Sequence, residues 1–281
     1  MISVIIVTYN RKFLLRECLS SLLNQDYGNE FEIIIVDNLS SDGTPGFIKD
    51  EFGEKAKLIT NQAKLKLTDC KNQGIRSAAG DIIAFTDDDC FVSKGWLSSI
   101  ERSLLNYDIV GGIVLSAPGV EFPRWWKSSL NWLVGLSLKP GPNFFPLGSN
   151  IAFKRHVLEN IEDFESKILI SEDGCQQYGE DNYRLKKALD AGFVMMTSRD
   201  MLVYHHVPPG RLRLSYLIQR SYLEGKIWAK REPGFGIFIF RSVACVVCPV
   251  KFLVTGDLNH FFRMIVSLAY ILTFIKNRFK L

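Results

Sequence analysis

The N-terminal part of the chain alternates short runs rich in Val and Ile with segments of helical periodicity, and this alternation is the strongest constraint on the fold. A strand, helix, strand order predicts an α/β fold with a mostly parallel central sheet flanked by helices. The predicted strands are residues 2–8, 31–36, 57–60, 82–86 and 193–198, and the predicted helices are residues 13–25, 44–52, 68–79 and 180–191.

Polar residues follow three of the predicted strands at the point where each strand ends. In open α/β sheets, ligands bind beyond the carboxyl ends of the strands. We therefore expect these residues to converge on one edge, although Asn and Asp are also common in ordinary turns. The residues are Thr8, Tyr9 and Asn10 after the first strand, Asp37 and Asn38 after the second, and Asp87, Asp88 and Asp89 after the fourth.

The three consecutive aspartates carry the clearest chemical signal at this edge. Like charges repel unless something positive neutralises them. Two carboxylates one residue apart at a strand end can hold Mg²⁺ or Mn²⁺ and, through it, two phosphates. The ion acts as a Lewis acid on a departing diphosphate. Acidic turns are common, so the triplet alone does not establish a metal site.

Four motifs in a fixed order resemble the inverting glycosyltransferase family two, which has the A-type nucleotide-sugar transferase fold. The resemblance covers residues 2–230, and its specificity lies in the order of the motifs. The motifs are VIIVTYNR at 4–11, IVDN at 35–38 leading to SDGT at 41–44, KNQGI at 71–75 running through AGD at 79–81 to DDD at 87–89, and GED at 179–181.

The resemblance implies a set of residues that bind a nucleotide diphosphate sugar. Thr8, Tyr9 and Asn10 resemble the loop that lines the nucleotide pocket, and Asp37 resembles the acid that hydrogen-bonds the base. Lys71 stands where the family often has Arg, and either cation can neutralise a diphosphate.

The resemblance also implies a site for Mg²⁺ or Mn²⁺. Asp87 matches the first acid of the family's Asp-x-Asp motif, near ribose and metal, and Asp89 matches the metal ligand. The segment VYHH at 203–206 resembles a pattern in which a histidine faces the diphosphate or the metal, and we assign this role to His205 rather than His206. A histidine that satisfies buried backbone groups is the alternative.

Asp181 aligns with the family's catalytic base, which takes the proton of the acceptor hydroxyl as that oxygen attacks the anomeric carbon. The alternative is that Glu180 and Asp181 only begin a helix, where carboxylates favour the positive end of the helix dipole. Glu180 is assigned to the acceptor site. Asn150, in the segment GSN at 148–150, resembles the family's acceptor-side segment and is assigned there too.

The motifs and the composition predict two regions. Residues 1–231 form a catalytic domain, with a nucleotide-sugar half at about 1–115 and an acceptor half at about 116–231. Residues 232–281 form an apolar, basic helical tail. Aromatic residues between 116 and 146 fit either an acceptor-side flap or a satellite hydrophobic cluster.

The tail predicts an anionic membrane surface as a partner. From His205 onward, twelve Lys or Arg residues stand against three Asp or Glu residues, and the cations lie among apolar side chains, which fits lipid better than nucleic acid. The longest uncharged run, 264–275, is shorter than a spanning helix needs. Residues 258–277 instead predict an amphipathic helix whose polar stripe includes Ser267 and Tyr270. Packing on the catalytic domain or in an oligomer is the alternative.

The chain is expected to stay in the cytosol, at the inner face of the cell membrane. No basic segment followed by an apolar run and a cleavage site begins it. The six cysteines are then expected to be reduced. Cys245 and Cys248 form a lone CxxC, for which buried thiols are favoured over zinc because a second ligand pair is missing.

The resulting hypothesis is a metal-assisted inverting glycosyltransferase that acts on a glycan or lipid-linked acceptor, in surface polysaccharide or glycolipid synthesis. A UDP-sugar is the family's commonest donor. Two alternatives stay open: a catalytically inactive nucleotide-sugar-binding subunit of a membrane assembly, and a sugar nucleotidyltransferase. The second class typically has a glycine-rich loop after the first strand, where this chain has TYNR.

Overall fold

The computed structural model describes residues 1–137, 145–161 and 180–279. Its eight strands are β1 (Ile2–Thr8), β2 (Phe31–Asp37), β3 (Lys57–Thr60), β4 (Ile82–Phe85), β5 (Cys90–Val92), β6 (Ile109–Ser116), β7 (Ile151–Lys154) and β8 (Met195–His205). The helices are α1 (Lys12–Leu23), α2 (Thr44–Glu51), α3 (Leu67–Ser77), α4 (Trp96–Leu104), α5 (Arg155–Asn160), α6 (Glu180–Asp190), α7 (Leu214–Arg231), α8 (Phe235–Thr255) and α9 (Leu258–Phe279).

The strands form one sheet in the order β3-β2-β1-β4-β7-β6-β8-β5. The pairs β1/β2, β1/β4, β2/β3 and β6/β8 are parallel, and the pairs β4/β7, β6/β7 and β5/β8 are antiparallel. Strands β1 and β2 are buried along nearly their whole length, which explains their continuous rather than alternating apolar runs. The predicted α/β class, with a largely parallel sheet flanked by helices, is confirmed.

The register of the parallel strands brings their carboxyl ends together. Thr8 lies opposite Asp37, and Asp37 lies opposite Thr60. On the other side of β1, Ile5 pairs with Phe85, so the chain leaving β4 passes the end of β1. The polar residues after β1, β2 and β4 therefore meet at one edge of the sheet, as the predicted strand order requires.

Strands β5 and β6 and helix α4 were not predicted, and β8 is longer than the predicted 193–198. Strand β5 has only three residues, and β6 contains Gly111 and Gly112, which weaken a strand pattern. The second glycine has a packing reason, because a Cβ there would overlap the Met201 carbonyl oxygen and the Asn150 amide. Pairing with β7 and β8 therefore determines where β6 forms more than the strand propensity of its own residues does.

The chain divides into two compact units. The first, which holds the sheet, comprises residues 1–118 and 139–206, and the second comprises residues 119–138 and 207–281. This division differs from the predicted boundary at 231, because α7 belongs with the tail helices. The reason is close helix packing: a Cβ at Gly225 of α7 would overlap the Val266 carbonyl oxygen of α9.

The buried face of helix α9 overlaps the predicted apolar stripe only in part. Phe262, Val266, Ala269 and Tyr270 are buried, and Ser267 lies with them at 1% exposure. The assignment of Ser267 and Tyr270 to a solvent-facing polar stripe is therefore wrong. Their hydroxyls are satisfied internally: Ser267 donates to the Arg263 carbonyl, and Tyr270 donates to the Glu232 carbonyl at 2.8 Å.

Two helices of the second unit are long and apolar enough to cross a membrane, judged by length and composition alone. They are residues 235–255 and 258–278, with mean hydropathies of 2.1 and 1.5. The first qualifies although it carries Arg241 and Lys251. The length of the uncharged run therefore does not by itself exclude spanning.

We expect Gly225→Ala to destabilise the second unit by about 1–3 kcal/mol, the usual cost of overpacking, because the new methyl group would push α7 away from α9. The matched control is Gly236→Ala in α8, where a Cβ meets nothing within 4 Å and Ala favours the helix. Urea unfolding of both variants is the measurement. Equal midpoints for the two variants would contradict the close α7/α9 contact.

Candidate functional site

The middle aspartate of the triplet is tied to the end of β1. Asp88 accepts hydrogen bonds from the Thr8 hydroxyl and from an Arg11 guanidinium nitrogen, both at 2.8 Å. Burial raises the pKa of Asp88 to about 6, against the opposing charge of Arg11. Thr8 is itself buried, so its hydroxyl holds Asp88 in place. The donor-binding role predicted for Thr8 stays a prediction, and in the structure its hydroxyl is engaged by Asp88.

Asp89 lies between a cation and a histidine. Its Oδ2 accepts a hydrogen bond from Arg11 at 2.8 Å, and its Oδ1 lies 3.5 Å from His205 Nε2. The β5/β8 register puts Cys90 directly opposite His205, which brings donor atoms of Asp89, Cys90 and His205 within 4.8 Å of one another. The backbone N–H of His206 donates to the Asp89 carbonyl. The structure thus places the His205 side chain beside Asp89, and its role toward a metal or diphosphate stays a prediction.

Asp87 interacts electrostatically with Asp89 and His205 and also with the Lys71 and Asp181 pair. Burial raises the pKa of Asp87 above its ordinary value, and the charges of Asp89 and Asp181 raise it further. Lys71 and His205 act in the opposite direction. Several carboxylates are therefore held close together at the sheet edge, and a cation bound among them would relieve their repulsion.

The donor set fits a hard divalent cation. Carboxylate oxygens are the preferred ligands of Mg²⁺ and Mn²⁺, and imidazole is acceptable to Mn²⁺. Burial raises the pKa of the Cys90 thiol far above its ordinary value, and sulfur is a softer ligand than Mg²⁺ or Mn²⁺ prefers. The carboxylates of Asp87 and Asp89 with His205 are therefore the residues that could hold the ion.

Asp181 is paired with Lys71. The Lys71 Nζ lies 2.6 Å from Asp181 Oδ1, the lysine is 5% exposed and the aspartate 20%. Asp181 stands in the first turn of α6, against Gly148, where any Cβ would overlap its carboxylate. The predicted base thus keeps a partly exposed carboxylate in a position fixed by a cation and by a glycine.

The predicted nucleotide-binding residues line the ends of β1 and β2. Asp37 is fully buried; its Oδ2 accepts the Ser40 N–H, and its Oδ1 has no hydrogen-bond partner among the described residues. Asn10 has a left-handed φ of 52°, which Asn tolerates better than most residues, and its side chain accepts the Ser41 N–H. Tyr9 is exposed, with the Lys64 ammonium 3.5 Å from its ring centroid.

The predicted acceptor residues have different outcomes. Asn150 is fully buried: its amide donates to the Ile113 and Met201 carbonyls, and its oxygen accepts from the Trp96 indole. These bonds occupy the side chain, and through them Asn150 joins β6, β8 and α4. An acceptor role for Asn150 stays a prediction that its burial disfavours. The side chain of Glu180 and residues 162–179 lie outside the described part of the chain.

The roles of two residues in this site were not predicted. Arg11 belongs to the first motif and pairs with two of the three aspartates, and an arginine directly after a strand end that faces an acidic triplet is a usable signal for this pairing. Gly148 was seen only as part of a motif. Its contact with Asp181 joins residues far apart in sequence, which a local pattern does not reveal.

The chain matches the profile of Glycosyl transferase family 2 over residues 3–162, more than half of its length. Among curated proteins, glycosyltransferase AglE of Haloferax volcanii is 24% identical over 237 residues, which cover 80% of this chain and 72% of that protein. The GalNAc(5)-diNAcBac-PP-undecaprenol beta-1,3-glucosyltransferase of Campylobacter jejuni is 35% identical over 102 residues, 35% of this chain and 33% of that protein.

Solved structures of similar fold cover nearly the whole chain. The mannosyltransferase PcManGT from Pyrobaculum calidifontis, solved with GDP-Man and Mn²⁺, has a TM-score of 0.66 and 19% identity over 99% of this chain and 87% of that one. S. aureus TarS 1-349 has a TM-score of 0.58 and 18% identity over 100% and 92%. These likenesses establish the fold, and with the family match they show that the chain is a glycosyltransferase belonging to family 2.

Proposed function

We propose that this glycosyltransferase moves a sugar from a nucleotide diphosphate sugar to a glycan or lipid-linked acceptor, with inversion and with a divalent metal. The observation that carries the proposal is the position of Asp181, which lies beside Lys71 and within the electrostatic reach of Asp87. A base and an acidic metal-binding group at one sheet edge are what direct displacement of a diphosphate requires.

The names of relatives support the donor and acceptor classes. The Campylobacter jejuni relative is named for an undecaprenol-linked substrate, and an Escherichia coli relative is named as a UDP-Glc:alpha-D-GlcNAc-diphosphoundecaprenol glucosyltransferase. TarS was solved with UDP and with UDP-GlcNAc, and PcManGT with GDP-Man. We propose a UDP-sugar as donor and a role in surface polysaccharide or glycolipid synthesis at the inner face of the cell membrane.

The donor half of the site would hold the nucleotide and its phosphates. A nucleobase would meet the exposed ring of Tyr9 and the Oδ1 of Asp37, which accepts no hydrogen bond from the described residues. Asn10 and its hydrogen bonds with residues 40 and 41 fix the loop beside them. Asp87, Asp89 and His205 would hold Mg²⁺ or Mn²⁺, which when bound stabilises the charge on the departing diphosphate.

The acceptor half of the site needs one base. Asp181 would take the proton of the acceptor hydroxyl while that oxygen forms a bond to the anomeric carbon. The bond from the same carbon to the diphosphate oxygen breaks on the opposite face, and the electron pair leaves with the nucleotide diphosphate. Lys71, buried beside Asp181, orients the base and supplies positive charge on the donor side.

Asp89→Asn is expected to abolish the linkage between metal and donor binding, because the carboxylate charge that faces His205 is lost. Calorimetry with Mn²⁺ alone, and with UDP in the presence and absence of Mn²⁺, is the measurement. Asp190→Asn, which changes an exposed acid at the end of α6, is the control. UDP affinity that is independent of Mn²⁺ in the unaltered protein would contradict the metal assignment.

Asp181→Asn is expected to leave donor affinity nearly unchanged and to lower turnover by at least ~10²-fold, the usual scale for a lost general base. Such a pattern means that transition-state stabilisation is lost while ground-state binding survives. Melting temperature, donor affinity and turnover are measured on one preparation. Near-normal turnover of the folded variant would place the base elsewhere, and an unaltered protein inactive with every donor would favour the inactive-subunit alternative.

The Lys71 and Asp181 pair should appear as a coupling in a double-mutant cycle. Lys71→Met and Asp181→Asn, singly and together, are expected to be non-additive in the free energy of unfolding by about 0.5–3 kcal/mol. The exposed Lys186 and Asp190 pair on α6 is the matched control, with an expected coupling of about 0.3–0.5 kcal/mol. Equal coupling energies in the two cycles would mean that burial does not strengthen the interaction between Lys71 and Asp181.

A further inference from the structure

Helix α8 presents a long apolar face that no described residue of the second unit covers. Of its 21 residues only Cys248 is buried, and Leu253 and Val254 are 82% and 79% exposed. Contiguous apolar surface of this length marks an interaction site on a soluble unit. The exposed large apolar residues of this face, called the α8 face below, are Phe235, Ile239, Phe240, Val243, Val246, Val247, Val250, Leu253 and Val254.

Helix α9 is fixed to protein along one face, although Leu268 and Leu272 on it are exposed. It packs against α7 through the tight Gly225 contact, and Phe262 and Tyr270 are fully buried. The Tyr270 hydroxyl also ties α9 to the Glu232 carbonyl, just before α8 begins. Helix α9 therefore connects α8 to α7.

The turn between α8 and α9 is tied to another part of the second unit. Asp257, in this turn, accepts a hydrogen bond from the Ser129 hydroxyl at 3.2 Å, and Asn259 accepts one from the Trp132 indole at 3.1 Å. Ser129 and Trp132 belong to the insertion 119–138, which leaves the sheet unit and returns to it along the chain. If α8 and α9 crossed a bilayer as a hairpin, the turn between them would lie on the far side of the membrane. The hydrogen bonds to Ser129 and Trp132 would then break, or residues 119–138 would have to cross the membrane as well. The structure therefore favours a hairpin that does not cross.

The charge of this region favours an anionic surface over a second copy of the chain. Residues 235–281 contain six Lys or Arg and one acid, Asp257. Lys251 is exposed on α8, and Lys276 and Arg278 are exposed at the end of α9. Two copies meeting through α8 would bring like charges together, whereas anionic headgroups would neutralise them.

We propose that α8 lies in the plane of an anionic membrane, with the α8 face inserted at the boundary of headgroups and acyl chains, while α9 is its support on the protein side and neither helix crosses the bilayer. This inference deepens the proposed membrane location and does not depend on the chemistry of the sheet edge. It also moves the membrane-binding face from α9, where the sequence placed it, to α8.

The first test is binding to vesicles by the full chain. Vesicles of phosphatidylcholine mixed with phosphatidylglycerol are compared with phosphatidylcholine alone at low salt. Val246→Ser with Leu253→Ser is expected to weaken binding to the anionic vesicles by about tenfold or more, because two inserted side chains are lost. Leu105→Ser, at an exposed apolar residue of the sheet unit, is the control and should bind normally.

The second test separates in-plane from spanning arrangements. Thr255→Cys places a thiol at the turn, and Asn277→Cys places one near the other end of α9. A membrane-impermeant maleimide is added to protein bound on sealed anionic vesicles, with labelling of the native cysteines subtracted. Both new thiols are expected to react without detergent. A Thr255→Cys thiol that reacts only after detergent, while Asn277→Cys reacts before it, would establish a spanning hairpin.

Other outcomes also decide the question. Unchanged vesicle binding by the double serine variant would overturn the role of the α8 face. A chain that ignores anionic vesicles but forms dimers that the serine variant abolishes would assign the face to a second copy. UDP binding with Mn²⁺ is measured on the same variants: normal UDP binding with lost vesicle binding supports the membrane inference, and normal vesicle binding with no UDP binding would instead refute the proposed donor.

Discussion

The site depends on cations that offset the charge of the carboxylates at the carboxyl edge of the sheet. Asp87, Asp88 and Asp89 follow one strand, and a buried charge is costly unless it is paired. Arg11 binds two of them from the end of β1, and Lys71 pairs with Asp181 while its charge also acts on Asp87. The two cations offset the repulsion among the acids, and Asp89 Oδ1 faces His205 at 3.5 Å.

Small residues and one amide make room for this arrangement. Gly148 allows Asp181 to sit against the backbone, and Gly112 allows β6 to approach the Asn150 side chain. Asn150 then links three elements through its own hydrogen bonds. Removing the Asn150 side chain would leave its three hydrogen-bond partners unsatisfied, at a cost of about 1–3 kcal/mol for each buried one. Positions that look like substrate contacts in a motif can therefore serve to hold the scaffold.

The sequence predicted the parts of the fold that local patterns encode. Strands β1 to β4, helices α1 to α3 and the meeting of the polar strand ends follow from periodicity and motif order. The antiparallel β7, the glycine-containing β6 and the Lys71 and Asp181 pair do not, because they join residues as far as 110 positions apart. In α9 the hydrophobic pattern indicated an amphipathic helix, but burial of Ser267 and Tyr270 depends on partners that the pattern cannot name.

The tie between the α8 to α9 turn and residues 119–138 has a consequence for shortening the protein. The second unit is built from two separate stretches of chain, so a cut after residue 231 removes two of its helices but leaves α7 and the insertion behind. The surface of α7 around Gly225 and the indole of Trp132 would lose their partners and face water. The shortened chain would lose the apolar surface of α8 but expose another apolar surface on α7. A soluble variant is therefore better sought by replacing apolar side chains on α8 in the uncut chain.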